Sequence, residues 1–464
     1  MIFVEERSLK FVAEACDGEI RRGAGGTLVK NVCTDSRQAR PGDLFFAIRG
    51  AQHDGHAYVE EVAGKGVAAI VVEKSKVQSP KSKMDCGIVA VDDTRVALGK
   101  LAAAYRRDFD LAVICVAGSN GKTTTKELLG SVLGKQFPAL RSEASFNNDI
   151  GVPLTLLRIE KAHRAAVLEV GTNHPGELAP LIRMARPRYG VLTNIGREHL
   201  EFFGNVAGVA QEEGWLAELL PADGALFVNG DNEWTGQVVA RTKAKVVRVG
   251  FGDQNDWRAE KVRLDKSGAT FRVTAPREEF SGEYRVNLLG RHSVVNALFA
   301  AAVSEELGSG RPAVRDGLAE CKPAKMRLNF WEVNGVRVLD DAYNANADST
   351  IAALETLCDL PLQGRRVAVL GDMEELGAHS ETAHREIGKR AAELKIGQLF
   401  AVGKMAPVVA KAAREAGLMR VIEFENVESA TKAVTNFLKA GDVVLFKASR
   451  ASRLERIAEM LKEK

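Results

Sequence analysis

Short apolar runs alternate with longer amphipathic stretches along most of this chain, the pattern of strands feeding helices. Near the start, Leu9, Val12 and Ala13 recur at helical spacing, and Pro41-Gly42 turns into the apolar run 44–48. A polar loop, His53-Asp54-Gly55-His56, precedes a second buried-strand run at 68–72, and the polar stretch 77–83, with Pro80, reads as a loop. A helix over 94–105 leads into a second block. There, strands are expected at 111–116, 165–170, 189–193, 225–228 and 245–249, and helices at 176–185, 206–220 and 290–307. Polar and apolar positions alternate over 261–286, which predicts antiparallel strands added to a parallel sheet. A third block begins near Pro323, with strands at 336–339, 366–370, 398–402 and 443–446 and helices at 349–358, 381–393, 406–416, 429–438 and 453–462. The expectation is an α/β protein of three domains, at 1–92, 93–322 and 323–464. The central one is a P-loop ATPase-like parallel sheet and the last is Rossmann-like, with ligands at the carboxyl ends of the strands.

Composition narrows the classes. With 64 basic and 61 acidic residues the formal net charge is +3, which argues against a general nucleic-acid binder. The six cysteines are scattered without a C-x-x-C pair, so neither a zinc site nor a redox motif is indicated. The N-terminus is charged too early for a signal peptide, and no apolar run is long enough to span a membrane. A cytoplasmic enzyme without membrane insertion is expected.

Chemistry concentrates after the strand at 111–116. Gly118-Ser119-Asn120-Gly121 is followed by Lys122, Thr123, Thr124 and a helix-forming segment. Glycines let backbone N–H groups approach an anion, and the helix N-terminus adds its dipole. Lys122 suits the β/γ phosphates of a nucleotide, and the Thr123 hydroxyl suits Mg²⁺. Glu169 ends a strand where Mg²⁺ is held in such folds, or is an exposed strand-end residue. His199 follows the next strand as a metal ligand, a phosphate contact or a structural imidazole. Thr34-Asp35-Ser36-Arg37 could hold a sugar or a diphosphate, or form a charged turn. Asn147 and Asn148 suit a peptide-like substrate or a helix cap. Asp341, Tyr343, Asn344 and Asn346 follow a strand of the third block and read either as a nucleoside contact or as a turn. Lys447-Ala448-Ser449-Arg450 could close on phosphates or simply start a basic helix.

Taken together the motifs become specific. TDSR at 34–37, GDLFFAIRG at 42–50, GSNGKTTTKE at 118–127, NNDIGVPLTLL at 147–157, EVGTNHPGEL at 169–178, TNIGREHLEFFG at 193–204, GRHSVVNAL at 290–298, MRL at 326–328, DDAYNANADS at 340–349, LGDMEELG at 370–377 and KASRASRLE at 447–455 occur in one order. The chain resembles the Mur ligase family, the ATP-dependent amide ligases of peptidoglycan precursor synthesis. DDAYNAN and GDMEELG resemble the branch that takes UDP-MurNAc-tripeptide and D-Ala-D-Ala as substrates. The branch adding the third amino acid and a non-catalytic ATP-binding relative are the alternatives. A GTPase switch is weaker, since no N-K-x-D occurs.

The resemblance implies one domain each for the UDP-sugar, ATP and the incoming amine, in a monomer using ATP and Mg²⁺. Phosphoryl transfer from ATP to the peptide carboxylate would give an acyl phosphate, which the amine attacks. Lys122, Glu169, His199 and Lys447 carry catalysis by this analogy, and Thr34 to Arg37 contact the UDP-sugar. His292 and Asn296 lie near the nucleotide, Arg327 and Asp341 face ATP, and Tyr343, Asn344 and Asn346 line the crevice used by the third domain. Lys122 and Lys447 fall in different domains, so domain closure is expected. The chain departs from the pattern at Ala117, Ala448 and Glu198, where Thr, Gly and Ala are common. The main departure is Glu213, where the family usually places a lysine whose carbamate faces the second metal. Glu213 is either a carboxylate in the carbamate's place or a solvated helix residue.

Overall fold

The computed structural model describes residues 2–50, 52–76, 85–361 and 363–463. The stretch 77–83, read as a loop, lies outside the described residues. The chain is α/β with three sheet-containing regions. Its contacts divide it into two compact units, one holding residues up to Cys115 with 137–172 and 177–188, the other holding 116–136, 173–176 and 189–464.

In the first unit, strands Leu28–Cys33, Asp43–Phe46, Ala69–Glu73 and Gly87–Val91 run parallel, and Ile2–Ser8 and Glu19–Arg22 close the two edges antiparallel. The central strands are buried on both faces, hence their unbroken Val/Ile/Phe runs. Helix Thr94–Arg106 begins at Asp93, whose carboxylate accepts the N–H groups of Arg95 and Val96. It packs on helices Gly151–Leu156 and Leu178–Ala185 of the same unit. Strands Ala139–Arg141 and Ala165–Glu169 pair in parallel beside them.

In the second unit, helix Lys122–Leu133 follows the glycine loop directly. Strands Tyr189–Leu192, Ala225–Asn229 and Lys245–Gly250 are parallel and continue into Trp257–Asp265. The alternating stretch forms that strand with Gly268–Thr274 and Gly282–Val286, all antiparallel as the pattern predicts. Helix Arg291–Glu306 packs on helix Lys122–Leu133. The helix expected over 206–220 is two, Val206–Glu213 and Trp215–Glu218, parted at Gly214, where a Cβ would stand 2.0 Å from the Arg241 guanidinium. The pattern also passed over helix Arg311–Glu320, which opens with a proline in its first turn.

The last sheet runs Asn329–Val333, Val336–Asp341, Val443–Lys447, Arg366–Leu370, Gln398–Val402, Val421–Phe424. All neighbours are parallel except the first pair, a hairpin. Two apolar clusters cover the faces of this sheet, one around Leu354, Ile387 and Val409, the other around Val434, Phe446 and Ile457. The strand order reverses direction around Val443–Lys447, and parallel register sets Asp341 opposite Lys447 at the carboxyl ends.

Candidate active site

The glycine loop takes a form only glycine supplies. Gly118 has φ +110° and a Cβ there would lie 2.5 Å from the Thr193 hydroxyl; Gly121 has φ +87° and a Cβ would lie 2.7 Å from the Asn296 amide oxygen. The segment after strand Tyr189–Leu192 holds the loop from one side. Asn194 accepts the Ser119 N–H on its carbonyl at 2.9 Å and the Asn120 N–H on its side-chain oxygen at 2.7 Å. Lys122 turns back to the Gly118 carbonyl and lies 3.4 Å from Glu198. Thr123 is buried at the head of the helix, with Thr124 beside the cavity described below.

Glu213 is fully buried, so the solvated-helix reading is ruled out. One carboxylate oxygen accepts the Gly118 N–H at 2.8 Å; the other has no hydrogen-bond partner, and neither does one oxygen of the buried Glu198. Burial first, then the Glu198 charge, pushes the Glu213 carboxyl up to about 8 against the pull of Lys122. His199 sits at φ +48° ahead of a short helix, and its Nδ1 meets the Glu375 carboxylate. The hydrogen bond with that imidazole holds the Glu375 carboxyl below the usual carboxylate range.

The third block meets this loop within the same unit. Lys447 is buried, ion-paired with Asp341 at 2.7 Å, and donates to the Asn344 carbonyl at 2.8 Å. Burial pushes its ammonium down, with Asp341 opposing. Asp341 also accepts the Leu328 N–H, and Arg327 stacks over the Tyr343 ring at 4.3 Å. Asn346 caps helix Ala347–Asp359 in a reciprocal box with Ser349 and donates to the Asn120 side chain at 3.0 Å. A cavity of about 420 Å³ results, lined by Asn120, Gly121 and Thr124 on one side and by Arg327, Asp341 and Lys447 on the other, with His292 and Asn296 between.

The remaining predicted residues lie in the first unit. Glu169 is buried at its strand end, not exposed, and accepts from the Asn147 amide at 3.0 Å. The Asn148 side chain accepts the Ile150 and Gly151 N–H groups at 3.2 and 2.9 Å, just ahead of helix Gly151–Leu156. Asp35 takes the backbone N–H and the guanidinium of Arg37, so 34–37 has the geometry of a charged Asx turn at the carboxyl end of strand Leu28–Cys33. Sequence reasoning missed the partners of these residues: Asn194, Glu375, Arg197 and Asp348. Only Glu198 had left a signal, as a departure from the family pattern.

Among the described residues no three carboxylate, imidazole or thiolate groups converge at metal-ligand spacing. None of the described helices is long and apolar enough to cross a membrane. A glycine loop opening a helix, faced by cations from the carboxyl ends of a second parallel sheet, defines the class: an α/β protein built to bind a nucleoside triphosphate.

Comparison with known proteins makes this specific. The Mur ligase family catalytic domain matches residues 28–106, the Mur ligase middle domain 116–304, and the Mur ligase glutamate ligase domain 326–450. The UDP-N-acetylmuramoyl-tripeptide–D-alanyl-D-alanine ligase of Bacillus subtilis is 34% identical over 462 residues, covering 99% of each chain. The crystal structure of MurF from Acinetobacter baumannii matches at a TM-score of 0.91 and 31% identity, covering 99% of this chain and 100% of that one. MurF ligase from Thermotoga maritima in complex with ADP matches at 0.81 and 28% identity, covering 93% and 97%. The chain belongs to the Mur ligase family.

Proposed function

We propose that this enzyme joins D-alanyl-D-alanine to UDP-N-acetylmuramoyl-tripeptide, converting ATP to ADP and phosphate. The observation that carries the reading is the cavity walled by the glycine loop on one side and by Lys447, Asp341 and Arg327 on the other. A carboxylate is a poor acylating agent, so the γ-phosphoryl group is transferred to the tripeptide carboxylate, forming an acyl phosphate. The dipeptide amine then attacks the acyl carbon, the amide bond forms, and phosphate leaves. Such transfer asks the protein for positioning and positive charge. Lys122 supplies charge from the loop and Lys447 from the opposite wall. His292 and Asn296 line the nucleotide side, while Tyr343, Asn344 and Asn346 shape the crevice for the incoming amine. In the first unit, Thr34 to Arg37 hold the UDP-sugar, and Asn147 and Asn148 contact the peptide.

The residues fit Mg²⁺. Within the second unit Thr123, His199 and Glu213 would offer a hydroxyl, an imidazole and a carboxylate, and Glu169 of the first unit is a further candidate carboxylate. The unpartnered buried oxygen of Glu213 has the character of a cation ligand, and Glu375 occupies His199 Nδ1, leaving Nε2 for the metal. Mg²⁺ held by these residues would supply charge neutralisation at the transferring phosphoryl oxygens. These residues would supply part of the shell and leave the rest to nucleotide phosphates and water, as is usual for Mg²⁺. Glu213 does the work of the family's carbamylated lysine without needing CO₂.

Domains at 1–92, 93–322 and 323–464 are our reading, and the three matched segments support their number and order. Dependence on ATP and a UDP-linked substrate supports a cytoplasmic location. Phosphate release from purified protein with ATP, UDP-MurNAc-tripeptide and D-Ala-D-Ala tests the reading. D-Ala-D-Ala is expected to be the productive acceptor; release with diaminopimelate or lysine on the dipeptide precursor would reassign the branch, and none with any acceptor would make the chain a non-catalytic relative.

A further inference from the structure

The segment after strand Tyr189–Leu192 carries a charged contact that the reaction described above does not use. Arg197 addresses two carboxylates of the third block. Its Nε and Nη2 both donate to Asp348 Oδ1, at 2.8 and 2.6 Å, and its backbone N–H donates to Asp348 Oδ2 at 2.8 Å. The same guanidinium donates to Glu386 on helix Ser380–Glu393 through Nη1 and, at 3.2 Å, through Nη2. The neighbouring residue has to be glycine, because a Cβ on Gly196 would stand 2.7 Å from Asp348 Oδ2.

Both ends of this contact lead to the glycine loop. On one side Gly196 donates its N–H to the Ser119 hydroxyl at 2.8 Å. On the other, Asp348 lies in the first turn of helix Ala347–Asp359, whose cap Asn346 donates to Asn120. Asp348 also lines the cavity that holds Lys447. An aspartate in a first helical turn is favoured by the helix dipole, so the carboxylate that anchors Arg197 is itself held in place. Planar guanidinium geometry lets one side chain hold two carboxylates in a fixed relation, which a lysine does not do.

We propose that Arg197 and Asp348, with Glu386 as second acceptor, are positioning residues. They clamp the first turn of helix Ala347–Asp359 onto the glycine loop and so keep the Lys447 wall facing the nucleotide. The clamp rests on the ATP-dependent reading above, but part of its test does not. In ligand-free protein, hydrogen exchange at the amides of residues 347–350 is expected to quicken in Arg197→Ala and in Asp348→Asn, which keeps the shape of the side chain. In ligation assays each of Arg197→Ala and Asp348→Asn is expected to lower kcat/KM for ATP about tenfold, leaving KM for the UDP-peptide unchanged. Arg197→Lys should recover part of the loss. Because the two residues act as one unit, the double variant should also lose about tenfold, not the roughly hundredfold of independent sites. Wild-type kinetics in the single variants, multiplicative loss in the double, or unchanged exchange would overturn the clamp. A wild-type protein that releases no phosphate overturns the enzymatic reading instead and leaves the exchange result to decide the contact.

Discussion

Asp442 and Glu213 are both buried carboxylates, 5% and 0% exposed, yet their surroundings differ in kind. Asp442, at the start of the last strand, accepts from Arg365 at 3.1 and 2.7 Å and from the Lys439 N–H at 2.9 Å, so both oxygens are occupied. Glu213 accepts one N–H from the glycine loop, keeps one oxygen without a hydrogen bond, and is pushed up to about 8 by burial and by Glu198. A buried charge that is fully paired serves the fold, because only removal of its partner exposes the desolvation cost. A buried carboxyl left half-satisfied shows that cost in its raised pKa, and beside a loop that addresses phosphates it is a candidate ligand for a cation.

The sharpest way to break this contrast is at Glu213. Glu213→Ala is expected to lower turnover by about a hundredfold or more, the scale of losing a group that stabilises developing charge. Its thermal midpoint in ligand-free protein should fall less than that of Asp442→Ala, since the variant strands one backbone N–H, that of Gly118, and not a buried ion pair. Glu213→Lys should regain activity only with bicarbonate, which supplies the carbamate. Full activity of Glu213→Ala, or a bicarbonate-independent Glu213→Lys, would remove Glu213 from the metal site.

The opposite outcome is expected at Asp442. Asp442→Ala leaves the Arg365 guanidinium and the Lys439 N–H without their acceptor, and Arg365 is 30% exposed, so water screens part of the loss. Stability to urea should drop by about 2 kcal/mol, while kcat/KM stays within about twofold of wild type. A catalytic defect as large as that of Glu213→Ala would mean that satisfaction of buried carboxylates does not separate fold from function in this chain.

The same contrast explains what could be read from the sequence. Strands of the parallel sheets were legible because strands buried on both faces are written as unbroken apolar runs, as in Val113 to Ala117 and Val443 to Phe446. The glycine loop, Lys122, Glu169, His199 and Lys447 stood out as candidates because their chemistry is local to a strand end. The hairpin of Asn329–Val333 with Val336–Asp341 left a signal that was not used. Asn334-Gly335, at φ +50° and +74°, is the dipeptide that favours such a turn. The pairings of Arg197 with Asp348, His199 with Glu375 and Gly118 with Glu213 span 151, 176 and 95 residues. No periodicity encodes those distances. The burial of Glu213 was equally invisible, since a glutamate late in a helix reads as solvated until the loop packs over it.

The smallest effect tests the satisfied side of the comparison by pH. His384 is fully buried in helix Ser380–Glu393, its Nε2 accepting the Met373 N–H at 3.0 Å and its Nδ1 meeting the Ser380 carbonyl at 2.7 Å. Both ring nitrogens are used by the neutral form, and burial holds the imidazole below its ordinary value of 6.5. The unfolded chain therefore binds a proton first as pH falls. The stabilising contribution is complete above 6.5 and is lost as pH drops from there through the lower folded value. His384→Gln should be less stable than wild type at neutral pH, and its stability should fall less steeply below pH 6.5, by at most about 1.4 kcal/mol per pH unit. Urea midpoints of both proteins between neutral and mildly acidic pH measure the difference, and carboxylates shared by the two cancel in the comparison. Parallel curves would mean that His384 accepts a proton in place, and that a fully hydrogen-bonded buried group in this chain is still free to titrate.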